Sequence, residues 1–216
     1  MAPPDVLCLT NGVFAENCYI VADRDAGEAV LVDPGEEAEL FLARLDTERL
    51  ALTAIWLTHA HLDHVAGVGL VTQRREVPVW LHPADRPLYD RAPDQARMFL
   101  GATMPPLPAP DRIIVPGDPM RVGACDFDVR FVPGHSPGSV AFVRDGIAIV
   151  GDVLFAGSVG RVDLPGGDGR TLVRSIRDQL LTLPDDTVVY PGHGPETTIG
   201  RERATNPFLT GAIGRD

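Results

Sequence analysis

The sequence predicts a mixed α/β fold. Short apolar runs of strand length alternate with segments whose apolar residues fall at helical spacing. The strand-like runs end in turns, most of them containing Gly, Pro or Asp, and the histidines stand at or just after the ends of such runs. With 216 residues, 44% hydrophobic and 23% charged, the chain can bury one substantial core, and a single domain over 1–216 is expected.

Taken in order, residues 6–9, 18–22 and 29–33 read as strands, the last two joined by the turn Asp23-Arg24-Asp25-Ala26-Gly27. After Asp33-Pro34-Gly35, Ala38, Phe41, Leu42 and Leu45 mark a one-sided helix over 36–45. Asp33 reads equally well as a turn carboxylate or as a group that holds a metal-bound imidazole. The buried strand expected over 52–57 runs into Thr58-His59-Ala60-His61-Leu62-Asp63-His64. So many polar rings suit a core badly, because each needs its own buried partner, whereas they suit a metal ion well. His59 and His61, two residues apart, point the same way on an extended backbone and can share one ion. Asp63 and His64 can take a second ion where the chain turns into a short helix over 65–71.

Residues 77–81 form the next expected strand, and His82 reads as structural, at a strand-to-helix turn before a helix over 84–89. Pro93, Pro105, Pro106, Pro108 and Pro110 mark an ordered surface loop, a candidate lid beside the site. Over 125–132, Phe127, Val129 and Phe131 alternate with Asp126, Asp128 and Arg130, the pattern of a half-buried strand that ends at Pro133-Gly134-His135. Residues 139–144 and 147–150 read as a hairpin around Asp145-Gly146 that runs on to Gly151-Asp152. A helix over 171–183 and a strand over 187–190 complete the pattern, the strand closing at Pro191-Gly192-His193-Gly194.

His59, His61, Asp63, His64, His135, Asp152 and His193 together offer five imidazoles and two carboxylates. This donor set suits two borderline divalent ions, zinc first, with iron or manganese also compatible. The ordered set of HxHxDH, Pro-Gly-His, Gly-Asp and Pro-Gly-His-Gly resembles the metallo-β-lactamase superfamily along nearly the whole chain. The resemblance implies an αββα sandwich of two mixed sheets flanked by helices, with the metals on one edge. It further implies His59, His61 and His135 on one ion, Asp63, His64 and His193 on the other, and Asp152 bridging both. The cysteine ligand of many true β-lactamases is missing, so antibiotic hydrolysis is not the first expectation.

Residues 154–168, with Asn206-Pro207-Phe208, resemble the glyoxalase II-like group of short bacterial hydrolases. The implied activity is hydrolysis of thioesters of the S-lactoylglutathione kind by hydroxide generated between the ions, with Asp63 a metal ligand and candidate proton shuttle. The chain stops at Asp216, before the helical region with which full glyoxalase II enzymes grip glutathione, so the reaction type carries over more safely than the glutathione. Gly160-Arg161-x-Asp163 is shared with persulfide dioxygenases, which use one iron on the positions of His59, His135 and Asp152. That activity is the alternative, and a lactonase or nuclease role fits the same scaffold. Phe155 is expected to wall the cleft. Arg161 and Asp163 are expected to form a buried pair bracing the loop after Asp152, or to contact substrate.

A formal net charge of −11, with every basic residue an arginine, argues against nucleic acid. Met1-Ala2-Pro3-Pro4-Asp5 has no signal-peptide pattern and no run reaches transmembrane length, which predicts a cytoplasmic protein with no membrane partner. Cys8, Cys18 and Cys125 lack CxxC spacing and fit reduced thiols, Cys18 and Cys125 as small buried hydrophobes. The expected partner is a small-molecule thioester, and the expected assembly a monomer or homodimer.

Overall fold

The computed structural model describes residues 3–211. The N-terminal Met1-Ala2 and the final residues through Asp216, on which the targeting and chain-end expectations partly rest, lie outside them. The elements are β1 (Asp5–Asn11), β2 (Glu16–Asp23), β3 (Glu28–Val32), α1 (Ala38–Glu48), β4 (Ala51–Trp56), α2 (Leu62–Val65), α3 (Val68–Arg74), β5 (Val79–Leu81), α4 (Arg86–Gln95), β6 (Arg112–Ile113) and β7 (Pro119–Val122). They continue with β8 (Cys125–Phe131), β9 (Val140–Arg144), β10 (Ile147–Gly151), β11 (Leu154–Phe155), β12 (Ser158–Val159), α5 (Gly169–Ser175), β13 (Val188–Pro191), β14 (Thr197–Thr198), α6 (Ile199–Thr205) and α7 (Pro207–Thr210).

Two six-stranded mixed sheets result, ordered β1-β2-β3-β4-β5-β6 and β14-β13-β10-β9-β8-β7. In the first, β1 to β3 are antiparallel and β3 to β6 parallel. The layering follows from which face each residue takes. Tyr19, Val21, Val30 and Trp56 meet Phe127, Val129, Phe142 and Ile149 between the sheets. Ile20, Leu31 and Ile55 turn the other way and bury Phe41 and Leu45 of α1, Val68 and Val71 of α3 and Tyr89 of α4. On the outside of the second sheet, Ala141, Val143, Ala148 and Val150 pack on Leu172, Ile176 and Leu180. Three apolar layers make the expected αββα sandwich, and strands covered on both faces explain the nearly continuous apolar runs of β2 and β10.

Several expectations are corrected. The helix after the HxHxDH stretch is broken into α2 and α3 at Gly67, whose backbone presses on the Pro34-Gly35 turn: its N–H donates to Pro34 O at 2.9 Å, and a Cβ there would lie 2.2 Å from Gly35 O. The helix expected over 84–89 continues through Pro93 into a wider turn at Ala96–Leu100, because buried Tyr89, Ala92 and Ala96 hold it on the first sheet. Phe131 is 37% exposed and stacks on His82 at 4.8 Å, where β8 leaves the sandwich. The Pro-rich segment packs over the outer helices, with Met104 and Leu107 on the α1–α4 layer and Pro108 O accepting from Tyr89 Oη at 2.9 Å. No described helix is long and apolar enough to cross a membrane.

Phe142, fully buried against Trp56 with ring centroids 5.2 Å apart, tests the inter-sheet layer. Phe142→Ala is expected to cost about 3–5 kcal/mol in urea unfolding. A loss under about 1 kcal/mol would place that ring outside the core.

Candidate metal centre

All seven expected ligands meet at one edge of the sandwich, each carried there by a strand end. β4 delivers His59 and His61, α2 begins with Asp63 and His64, β8 leads to His135, β10 to Asp152, and β13 to His193. The last turn is pinned to the first sheet. Asn17 N donates to Gly192 O at 2.8 Å, the Asn17 amide donates to Pro191 O and Gly194 O, and Tyr19 Oη donates to Pro191 O at 2.6 Å. Residue 192 has no room for a side chain, since a Cβ there would lie 2.1 Å from Asp152 Oδ1.

Three groups of donors form; one joins Asp33 to His59 and His64, and the other two divide the expected ligands other than Asp152. His59, His61 and His135 face one another, with His135 Nε2 2.8 Å from His61 Nδ1 and 3.2 Å from His59 Nε2. Asp63, His64 and His193 form the second, with Asp63 Oδ2 3.2 Å from His193 Nε2 and 3.8 Å from His64 Nε2. Asp152 stands between them, one oxygen 3.4 Å from His64 Nε2 and the other 3.6 Å from His135 Nε2 and 3.5 Å from His193 Nε2. None of the three cysteines belongs to either group.

On four of the five imidazoles the outer ring nitrogen is held by an acceptor, which turns the inner one towards the cluster; His61 has none, its buried Nε2 being without a hydrogen-bond partner among the described residues. His135 Nδ1 meets Arg161 O at 2.8 Å and His193 Nδ1 meets Phe14 O at 3.1 Å. His64 Nδ1 lies 3.0 Å from Asp33 Oδ2, and His59 Nδ1 lies 3.0 Å from Thr58 Oγ1, which in turn donates to Asp33 Oδ2 at 2.5 Å. Asp33 also accepts from Thr58 N at 2.7 Å. One carboxylate thus orients two imidazoles, one directly and one through a hydroxyl.

A cation fits what remains. His64 Nε2 and Asp152 Oδ1 are buried, lack hydrogen-bond partners and face each other, an arrangement that a divalent ion between them would satisfy. The titration behaviour agrees. Burial, reinforced by the neighbouring rings, holds His59 well below the usual histidine range and His61 down at about 3. Burial also opposes charge on His64, but Asp63, Asp152 and Asp33 outweigh it and push its pKa well up. In turn His64 and His193 keep Asp63 ionised despite its burial, and His64, His135 and His193 do the same for Asp152. His193 is raised too, its burial outweighed by its contact with Asp63 and the charge of Asp152, so the carboxylates favour positive charge on the second group and burial disfavours it on the first.

Phe155 sets its ring edge-on to His193 at 6.3 Å, at the open side, where Asp63 and His193 are the partly exposed members. Arg161 and Asp163 do pair, through two contacts of 2.7 Å, but at the surface rather than buried as expected. A pair so exposed is screened by solvent, and it is the Arg161 carbonyl, not the ion pair, that reaches the site. His82 joins neither group and caps the turn before α4.

Two buried carboxylates went unrecognised in the sequence. Glu16 accepts from the Asn11 amide at 2.6 Å and lies 3.8 Å behind His64 Nδ1, and burial pushes its pKa well up. At the start of a strand it reads as a surface residue, and nothing local marks it. Asp85 is fully buried between the two halves, and the His82-Pro83-Ala84-Asp85 turn was its one visible signal.

Comparison with known proteins agrees with this geometry. The family model of the metallo-β-lactamase superfamily matches residues 11–193. A hydroxyacylglutathione hydrolase, GloC of Haemophilus influenzae, is 40% identical over 202 residues, covering 91% of this chain and 93% of its own. The crystal structure of the B3 metallo-β-lactamase BLEG-1 superposes with a TM-score of 0.89 at 39% identity, over 95% of this chain and all of that one. TTHA1623, solved in a di-iron-bound form, gives 0.85 at 46% identity, over 94% of this chain and all of that one.

Histidine binds a metal in its neutral form, and the raised pKa of His64 and His193 favours protons on them, so zinc binding to metal-free protein at pH 7 is expected to release protons and to weaken as pH falls. Calorimetric titration in two buffers of different ionisation enthalpy measures the release. A buffer-independent heat would mean that the metal-free centre holds no proton to displace.

Proposed function

Since the chain belongs to the metallo-β-lactamase superfamily, we propose that it is a dinuclear metal-dependent hydrolase of thioesters of the S-lactoylglutathione type. The observation that carries the reading is Asp152, placed between two complete donor groups. The likeness to GloC supports the thioester, and the likeness to the di-iron TTHA1623 supports two ions, with zinc, iron and manganese all compatible with the nitrogen and oxygen donors.

In this reading His59, His61 and His135 would hold one ion and Asp63, His64 and His193 the other, with Asp152 in reach of both. Two such ions would supply a hydroxide nucleophile at neutral pH and a Lewis acid for the carbonyl oxygen. The chain's own part is to fix these donors and shape the approach. Thr58, Asp33 and the carbonyls of Phe14 and Arg161 lock the rings, so that no reorientation is needed during reaction. Phe155 offers an apolar wall beside His193, suited to the sulfur side of a thioester and to keeping bulk water away. Asp63, at the open side beside His193, is the candidate proton shuttle of this reading. A thiol leaves readily as its anion, so a dedicated acid is not required.

The test is metal analysis of the purified protein with turnover of S-lactoylglutathione, a β-lactam and glutathione persulfide. Two ions per chain and thioester hydrolysis without oxygen uptake are expected. One iron with oxygen consumption would replace this reading by the dioxygenase, and β-lactam hydrolysis alone would replace the substrate. Asp152→Ala is expected to lose both ions. A variant that keeps two at unchanged affinity would contradict the bridging role.

A further inference from the structure

Asp85 stands outside both donor groups, yet it joins the loops that carry one of them. Its Oδ2 accepts from Ala60 N at 3.0 Å and from Ser136 Oγ at 2.7 Å, and its Oδ1 accepts from Gly138 N at 2.6 Å. Ala60 lies between His59 and His61, and Ser136 follows His135, so the carboxylate grips the backbone on either side of the three imidazoles of a single group. Among the described residues no hydrogen bond links it to the segments bearing Asp152 or His193, and on the HxHxDH stretch it holds only Ala60, between His59 and His61 and ahead of the α2 turn that carries Asp63 and His64. The residue is 0% exposed, and among the described residues no Arg pairs with it. Burying a carboxylate with only neutral donors around it is costly, and an apolar residue would pack there more cheaply. The same turn adds a second hold on the His135 side, since His82 stacks on Phe131 at 4.8 Å just before that loop.

We propose that Asp85 is a positioning residue for one metal only: a strut across the two halves of the sandwich that sets the His59–His61 loop against the His135 loop. It rests on the metal-binding reading of those three histidines. A general contribution to folding would affect both ions alike, whereas a strut of this connectivity affects one.

Asparagine tests this with little change of shape. Its amide keeps one acceptor oxygen and turns an NH2 towards a backbone N–H that needs an acceptor. Zinc affinities of the complete protein, measured by chelator competition, are expected to show two dissociation constants. In Asp85→Asn one should rise about 10–100-fold, the effect typical of groups that orient ligands, with the other unchanged and the melting temperature of the metal-free protein close to wild type. Cobalt substitution gives an independent readout, because only the absorption bands of the weakened site should change. Both constants unchanged, or both raised together, would overturn the proposal. Should Asp85→Asn fail to fold, Ser136→Ala removes a single arm and must still show a smaller loss confined to one site; equal loss at both sites, or none, would overturn it. A wild-type protein that binds fewer than two ions would instead refute the dinuclear reading itself, a result separable from either of these.

Discussion

The hydrogen bonds on the outer edges of the imidazoles are the constraint on which the site depends. An imidazole offers two nitrogens, and a loop residue free to rotate would present either. Here Thr58, Asp33, Arg161 O and Phe14 O take one nitrogen of His59, His64, His135 and His193, so the other is left to face the cluster. These acceptors come from four separate stretches of chain. The site is therefore as rigid as the sandwich that brings the stretches together.

That sandwich supplies rigidity without occupying the edge. Its apolar side chains are consumed in three layers, one between the sheets and one under the helices on each side. Strand ends at the rim leave the layers and enter turns, where polar side chains no longer compete with packing. The two sheets are also stitched at this rim. Asn17 and Tyr19 of β2 reach across to the backbone around Gly192, and Asp85 reaches from the end of β5 to the loop after β8. A cluster assembled from both sheets would otherwise open with any sliding of one on the other.

Charge explains why such a cluster is tolerated. Asp33, Asp63 and Asp152 lie around His64 and favour positive charge on it against its burial. Burial, reinforced by neighbouring imidazoles, disfavours charge on His59, His61 and His135. The two halves of the centre thus differ: carboxylates favour charge on His64 and His193, and burial opposes it on the other three rings.

The layered fold and the seven converging side chains are legible in the sequence, because both are written in local patterns. Apolar period and turn residues locate strand ends, and histidines placed at strand ends have few structural uses that fit all of them at once. The sequence also marked Asp33, since a carboxylate at a strand end beside a Pro-Gly turn is a local feature. The groups that support them emerge from contacts between distant segments. Glu16 and Asp85 carry no local mark of burial, because their partners lie in other elements, as with Ser136 for Asp85, 51 residues away. The break at Gly67, the continuation of α4 through Pro93 and the outward turn of Phe131 were decided the same way, by packing against segments distant in the chain. Arg161 shows the limit most clearly: its charge suggested a buried brace, while the fold left the charge in solvent and used the carbonyl, a group that every residue possesses and no sequence pattern distinguishes.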